Sequence, residues 1–344
     1  MKSYSNLSLT AAPFVYTRLP VLGINIAVLS LLGIQILILA ITGDFYALLN
    51  IVISVMGVLF VENLLRYLAS SKFVVSLELI ISGLLIGFFM PAGIGFIFVF
   101  ILSAFSVFIV KTIFGGTGRN WINPVAFAVC AAYISRPEAF PPMISDFALL
   151  SEKGSIFAVM EANGLVKLQT DFTVTSALNS LLLHGVGVTL PEGYISLFLN
   201  STSSIPAFRY NIVTLAASII LFSIRAADYI LPSVFLATYA FLVWTFGMVP
   251  VSNIYFAGDI LSAVLTGGVL FAAFFVMTDP ASSPKTKYGK AMSGFFTGVF
   301  AFFICAHGAS PAGVFFAVIL GNLISPLIEI LEIKIQAKKR SIYE

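Results

Sequence analysis

Three polar stretches in this sequence interrupt long apolar ones and carry the residue types that do chemistry. GGTGRNWINPVAF (115–127) sets Gly115, Gly116 and Gly118 beside Arg119, Asn120 and Asn123. Glycine backbone can turn successive amides into one concavity, and such a nest suits a phosphate or the edge of a flavin. A tight turn that buries backbone between helices would use the same residues. MTDPASSPKTKYGK (277–290) closes another apolar stretch with Thr278, Asp279, Ser282 and Ser283. Its prolines prevent the helix continuing, so hydroxyls and a carboxylate gather at a helix end, or simply cap it. QTDFTVTSALNSLLL (169–183) places Asp171, Thr175 and Ser176 before a short apolar run, the usual composition of a helix N-terminus.

Other candidates are weaker. Glu62 and Arg66 are four apart and can pair on one helix face. Glu62 and Glu78 are carboxylates inside apolar stretches, where ionisable groups are functional candidates, although both lie near stretch ends that permit pairing or snorkelling. Cys130 and Cys305 are far apart in apolar runs and read as small buried residues. An iron–sulfur centre needs about four ligands, and His184 and His307 are isolated, so no metal site is expected.

The elements that position these stretches follow from composition. Hydrophobic residues make up 59% of the chain and charged residues 10%, with mean hydropathy +1.05. A soluble domain carries about 25% charged residues, so lipid is the main solvent here. The net charge of +3 is too small to suggest nucleic acid. Met1 to Pro20 has no long apolar core, so no cleaved signal peptide is expected. The fold class is an all-α membrane protein of about ten transmembrane helices, near 21–42, 45–68, 74–90, 93–113, 122–135, 209–225, 229–248, 259–277, 291–306 and 311–329.

Basic residues orient the spans. With the N-terminus inside, fourteen lysines and arginines fall on one side, and four (Arg136, Lys153, Lys167, Arg209) on the other. Both termini are therefore expected in the cytoplasm, and the 136–207 segment outside. SGLLIGFFMPAG (82–93) resembles TGGVLFAAFFVMTDPAS (266–282), and INPVAFAV (122–129) resembles SPAGVFFAV (310–318). Those pairs link spans three with eight and five with ten, so the chain reads as two five-helix repeats of inverted topology. The expected divisions are 1–135, 136–207, 208–332 and a basic tail at 333–344.

Together these motifs resemble the RnfD/NqrB family. GGTGRNWINPVAF is similar to its GGxGxNxFNPA signature, TDPASSP to its TDPxSxP segment, and SPAGVFFAVILGNLISPLIE (310–329) to its closing helix. The length and ten spans fit the RnfD branch better than NqrB. The resemblance implies an FMN joined through its phosphate to an outer-side threonine, and a non-covalent riboflavin elsewhere. The matching segment here is TVTSAL (173–178), and the acceptor is Thr175 or Ser176, depending on register. Asp171 precedes them as an acidic residue does in the family motif, a feature for recognition by a flavin transferase. The family's preceding glycine is replaced by Val174 or is absent, depending on register, and NSTSSIPAFRYN (200–211) stands in place of the family's GSxGETS.

By the same resemblance, the chain is expected in the inner (plasma) membrane as a flavin-carrying, non-autonomous subunit of a Na+- or H+-translocating oxidoreductase complex of the Rnf type. It would relay electrons between the ferredoxin or NADH side and outer-side flavin carriers. Its implied partners are the flavin-bearing G-type subunit, the A- and E-type membrane subunits, and the B- and C-type subunits of the cytoplasmic side. The competing reading is a solute channel, because inverted five-helix repeats also build urea- and ammonium-channel-like proteins.

Overall fold

The structure is a computed structural model that describes residues 19–69, 73, 75–116, 118, 120–141, 168–185, 187, 190, 192–199, 203–247, 259–305 and 311–343. Every regular element among them is helical. The first half holds α1 (Val21–Ile41), α2 (Phe45–Leu68), α3 (Leu77–Phe88), α4 (Phe96–Val107) and α5 (Pro124–Ser135). Between the halves lie α6 (Asp171–Gly185) and α7 (Tyr194–Leu199). The second half holds α8 (Asn211–Ser223), α9 (Ile230–Gly247), α10 (Ile260–Leu265), α11 (Val269–Phe271), α12 (Lys287–Ile304) and α13 (Gly313–Tyr343). Single π turns extend α4 through Phe108–Thr112 and α11 through Ala272–Val276.

Among the described residues a helix falls within each of the ten expected stretches, with three main departures. The stretch at 259–277 is broken, because Gly267 and Gly268 take left-handed φ of +62° and +70° between α10 and α11. The helix expected at 291 begins at Lys287, where Thr286 caps it by accepting from the Gly289 amide at 2.9 Å. The closing helix continues to Tyr343 instead of ending near 329, so the expected tail is its last turns. Among the described residues, three helices are long and apolar enough to cross a membrane, at Val21–Ile41, Phe45–Leu68 and Gly313–Ile335. Five shorter apolar helices have 10–17 residues. Large apolar side chains face outward, such as Ile41 at 76% and Ile97 at 79% exposure, as a lipid-solvated surface requires.

Helix packing relies on missing side chains. A Cβ on Gly83 would stand 2.8 Å from Val55 Cα, and one on Gly87 2.5 Å from Ile51 Cα, so α3 lies directly on the α2 backbone. In the other half, a Cβ on Gly294 would stand 2.7 Å from the Leu231 carbonyl oxygen, and one on Gly298 2.8 Å from Thr238 Cβ. Without a hydrophobic force between helices in lipid, such close approach supplies the van der Waals contact that holds them together.

Three pairings in one half have counterparts in the other. Helix α1 packs on α3 as α8 packs on α11, α2 on α4 as α9 on α12, and α4 on α5 as α12 on α13. The halves meet through α1 with α8 and α5 with α13. Their shared core is aromatic, with Phe89 4.5 Å from Phe315 and 5.2 Å from Phe271 between ring centroids.

Candidate functional site

Two ends of the bundle hold the residues singled out in the sequence. The end bearing α6 and α7 is organised by Asp171. This carboxylate opens α6, is fully buried, and has both oxygens engaged. Oδ1 accepts from the Thr175 hydroxyl at 3.1 Å and the Gly193 amide at 2.8 Å. Oδ2 accepts from the Ser196 amide at 2.8 Å and the Ser196 hydroxyl at 2.5 Å. Burial pushes the carboxyl up, but the bonds from Ser196, Gly193 and Thr175 outweigh it and hold it below the usual carboxylate range. Asp171 thus ties the start of α6 to α7, and the Tyr194 hydroxyl donates to Asp259, which caps α10 through the Ser262 amide at 3.1 Å.

The two candidate acceptors part company here. Thr175 is 1% exposed and its hydroxyl is committed to Asp171, whereas Ser176 is exposed, its hydroxyl donating to the Thr173 carbonyl at 2.9 Å. The expectation that both precede the helix is corrected: α6 already includes them, so its N-terminal amides lie about a turn away from Ser176, and those of Asp171 and Val174 are spent on the Leu168 and Thr170 carbonyls. One turn before Ser176, Phe172 is 63% exposed.

At the opposite end, the 115–127 stretch meets the 277–284 turn through its asparagines. Asn123 caps α5, accepting from the Val125 amide at 2.9 Å, and its Nδ2 donates to the Val276 carbonyl at 2.9 Å. Asn120 Nδ2 lies 3.4 Å from Asp279 Oδ2 and 3.3 Å from the Ile122 carbonyl, while its buried Oδ1 finds no partner among the described residues. Asn322 on α13 joins the set. In the amide orientation that satisfies both neighbours, it donates to the Ser282 carbonyl at 3.3 Å and accepts from the Asn123 amide at 2.9 Å.

The glycines do something simpler. Gly115, Gly116 and Gly118 have φ of +101°, +95° and +81°. The Gly115 and Gly116 amides donate to the Thr112 and Lys111 carbonyls at 3.1 and 2.9 Å, closing the π turn. Two of the three amides expected to cradle an anion are thereby spent on the helix end. Thr278 likewise donates to its own helix, to the Phe274 carbonyl at 2.8 Å. Arg119, His307 and the stretch 142–167 lie outside the described residues. Glu62 pairs with Arg66 at 2.8 Å, and Glu78 with the buried Lys111 at 2.8 Å.

Sequence reading did not single out Asn322 or Lys111 for the site. An asparagine inside an apolar closing helix was the available signal for the first.

Asp279 also accepts from the Ala281 amide and the Ser282 hydroxyl, both at 3.2 Å. Burial raises its carboxyl, and the charge of Glu78 adds to that, so the donors around it do not restore the usual range. A carboxyl whose folded pKa is raised costs stability above that pKa and regains it as pH falls through it. Asp279→Asn should therefore hold or raise the unfolding temperature of the assembled protein at pH 7–8 and flatten its pH dependence. Thermal scans of the two proteins across pH 5–8 check this, and a lower, equally pH-dependent midpoint in the variant would contradict it.

An outward-facing apolar surface, glycine-packed helix pairs and three helices long and apolar enough to cross a membrane fit the class of helical membrane subunits. The chain belongs to the NQR2, RnfD, RnfE family, whose model matches residues 8–338. It is 28% identical over 244 residues to the D component of the ion-translocating oxidoreductase complex of Vibrio cholerae O395, covering 65% of this chain and 68% of the relative. The Escherichia fergusonii protein of the same name is 27% identical over 308 residues, 82% of this chain and 84% of the relative. These relatives lend no support to the solute-channel alternative.

Proposed function

We propose that this chain is the D-type membrane subunit of an ion-translocating oxidoreductase complex, and that it carries an FMN esterified to Ser176. The family match along nearly the whole chain supports the first part. The second part is carried by one observation: Ser176 offers an exposed hydroxyl beside exposed Phe172, on a helix whose start is pinned by Asp171.

The residues fit the group in three respects. Ser176 Oγ would form the phosphoester, and among the described residues its bond is to a backbone carbonyl of its own helix. Phe172, one turn away on the same face, presents a ring against which an isoalloxazine can lie. Thr175 and Asp171 face inward and fix the helix, which sets the direction in which the tethered group projects. The flavin itself supplies one- and two-electron transfer, while the protein supplies position and electrostatics. A tether keeps the group at high effective concentration without a deep pocket. Intact-mass measurement on the chain, co-expressed with its flavin transferase, tests the assignment.

The surrounding parts of the proposal follow from it. The ten expected spans cross the membrane as two inverted repeats, the short ones tilted or broken, with the termini in the cytoplasm and α6 outside. Electrons pass between carriers on the two sides, other subunits of the complex providing the donor and acceptor sites. An impermeant thiol reagent added from outside should label Ser155→Cys and spare Ser283→Cys in intact cells. The reverse pattern would overturn the orientation and remove α6 from the outer side.

A further inference from the structure

The first half contains a buried polar seam that the site above does not use. Asn50 and Ser54 are both wholly buried on α2, four residues apart on one face. Asn50 Nδ2 donates to the Pro91 carbonyl at 3.1 Å, in the break that separates α3 from α4. Its Oδ1 and the Ser54 hydroxyl have no hydrogen-bond partner among the described residues. Gly57 continues the same face, and a Cβ there would stand 2.5 Å from the Phe100 carbonyl oxygen of α4 and also collide with Ser103. Ser103 and Ser106 are themselves fully buried on α4. The stripe therefore faces α4 and the broken end of α3.

An unpaired polar atom buried away from water costs about 1–3 kcal/mol, so two on adjacent turns of one helix need a partner. The unmatched atoms are oxygens, and the Asn50 amide nitrogen beside them is already spent on Pro91. The C-terminal end of α3 brings the negative end of its dipole to the same place. In broken-helix membrane proteins, unwound carbonyls and helix C-termini serve small cations. Carboxylates, which protein sites for divalent cations commonly supply, are not among the seam's residues. Arg136 marks the outer limit, holding the Ile94 carbonyl at 2.9 Å.

We infer that Asn50 Oδ1 and Ser54 Oγ, with carbonyl oxygen from the Phe89–Gly95 break, bind a monovalent cation of sodium's hardness between α2, α3 and α4. This inference does not depend on Ser176 carrying a flavin, since its residues and its readout are separate. The ion exchanges its water for neutral protein oxygens, which keeps it weakly held and able to leave.

The test uses the assembled complex purified in detergent, with NaCl varied against choline chloride at constant ionic strength. The midpoint of thermal unfolding of the complex is followed as a function of sodium. Wild type should be stabilised by sodium with a measurable half-saturating concentration. Ser54→Ala should raise that concentration about tenfold, the factor corresponding to about 1.4 kcal/mol. Ser54→Cys keeps the volume but replaces a hard oxygen with soft sulfur, so it should weaken sodium similarly and thallium(I) much less. Electron density from a thallium-soaked wild-type complex should show the heavy ion between Asn50 and Ser54. The inference fails if wild type does not distinguish sodium from choline, or if the Ser54 variants keep the wild-type half-saturation. It fails equally if the density is the same with sodium, thallium and choline, which is the result for a buried water. Should Ser54→Ala not assemble, the thallium density of the wild type decides alone.

Discussion

Ser176→Ala should remove the whole of an FMN-sized mass adduct from the chain, while Thr175→Ala leaves it in place. The difference is all-or-none because one hydroxyl is exposed and the other is buried against Asp171. Esterifying Thr175 would mean opening α6 from α7 and stripping a donor from a buried carboxylate. Thr175→Ala should instead lower stability, by about 1.5–3 kcal/mol for a lost hydrogen bond to a charged group. A third variant separates position from chemistry. Asp171→Ala keeps Ser176 but leaves the Gly193 and Ser196 amides unpartnered, so the adduct should fall in proportion to loss of the folded lobe, as measured by protease protection of the 168–199 region. If Thr175→Ala abolishes the adduct and Ser176→Ala retains it, the assignment is reversed. If wild type carries no adduct while the same transferase modifies another subunit, this chain has no covalent flavin.

Gly87→Leu should prevent recovery of the assembled protein, whereas Gly33→Leu should be nearly silent. A Cβ on Gly87 falls 2.5 Å from Ile51 Cα, so the obstruction is backbone and cannot rotate away. Overpacking a core costs about 1–3 kcal/mol when side chains can yield, and the cost exceeds that range where two helices must separate. Gly33 on α1 has nothing within 4 Å of a built Cβ, so the same substitution there meets only open surface. Gly294→Leu, which would strike the Leu231 carbonyl, repeats the experiment in the second half with the same expected outcome. Detergent extraction followed by size-exclusion chromatography reads all three. Normal recovery of Gly87→Leu would show that the α2–α3 approach is not needed.

How much is legible in the sequence depends on distance along the chain. Helix α2 is expected at 45–68 and is found there, because an uninterrupted apolar run in a polar-poor sequence has few alternatives. The break after α3 is signalled by Pro91, Gly93 and Gly95, whereas the break between α10 and α11 escapes the hydropathy pattern. Two adjacent glycines in an apolar run look continuous to hydropathy. What keeps glycine at the break is space: a Cβ at Gly268 would strike the Phe208 ring, which belongs to a distant part of the chain. The role of Asp171 is hidden for the same reason. Its partners Gly193 and Ser196 are 22 and 25 positions away, and no periodicity connects them. The glycine nest carries less than its composition suggests, since its amides serve the helix end that precedes it and the asparagines beyond it make the contact.

The bond from Asn123 to the Val276 carbonyl spans 153 positions, and Asn322 on the last helix completes the same corner. A ribosome releasing this chain stepwise into a membrane would deliver α5 long before either partner exists. The capping asparagine of α5 then has to wait, its amide nitrogen served by water or headgroups near the surface, until residues 276 and 322 arrive. Insertion of the first half is therefore separable from its completion, and a chain cut between Phe140 and Leu168 should yield two pieces that are each degraded alone and persist when made together.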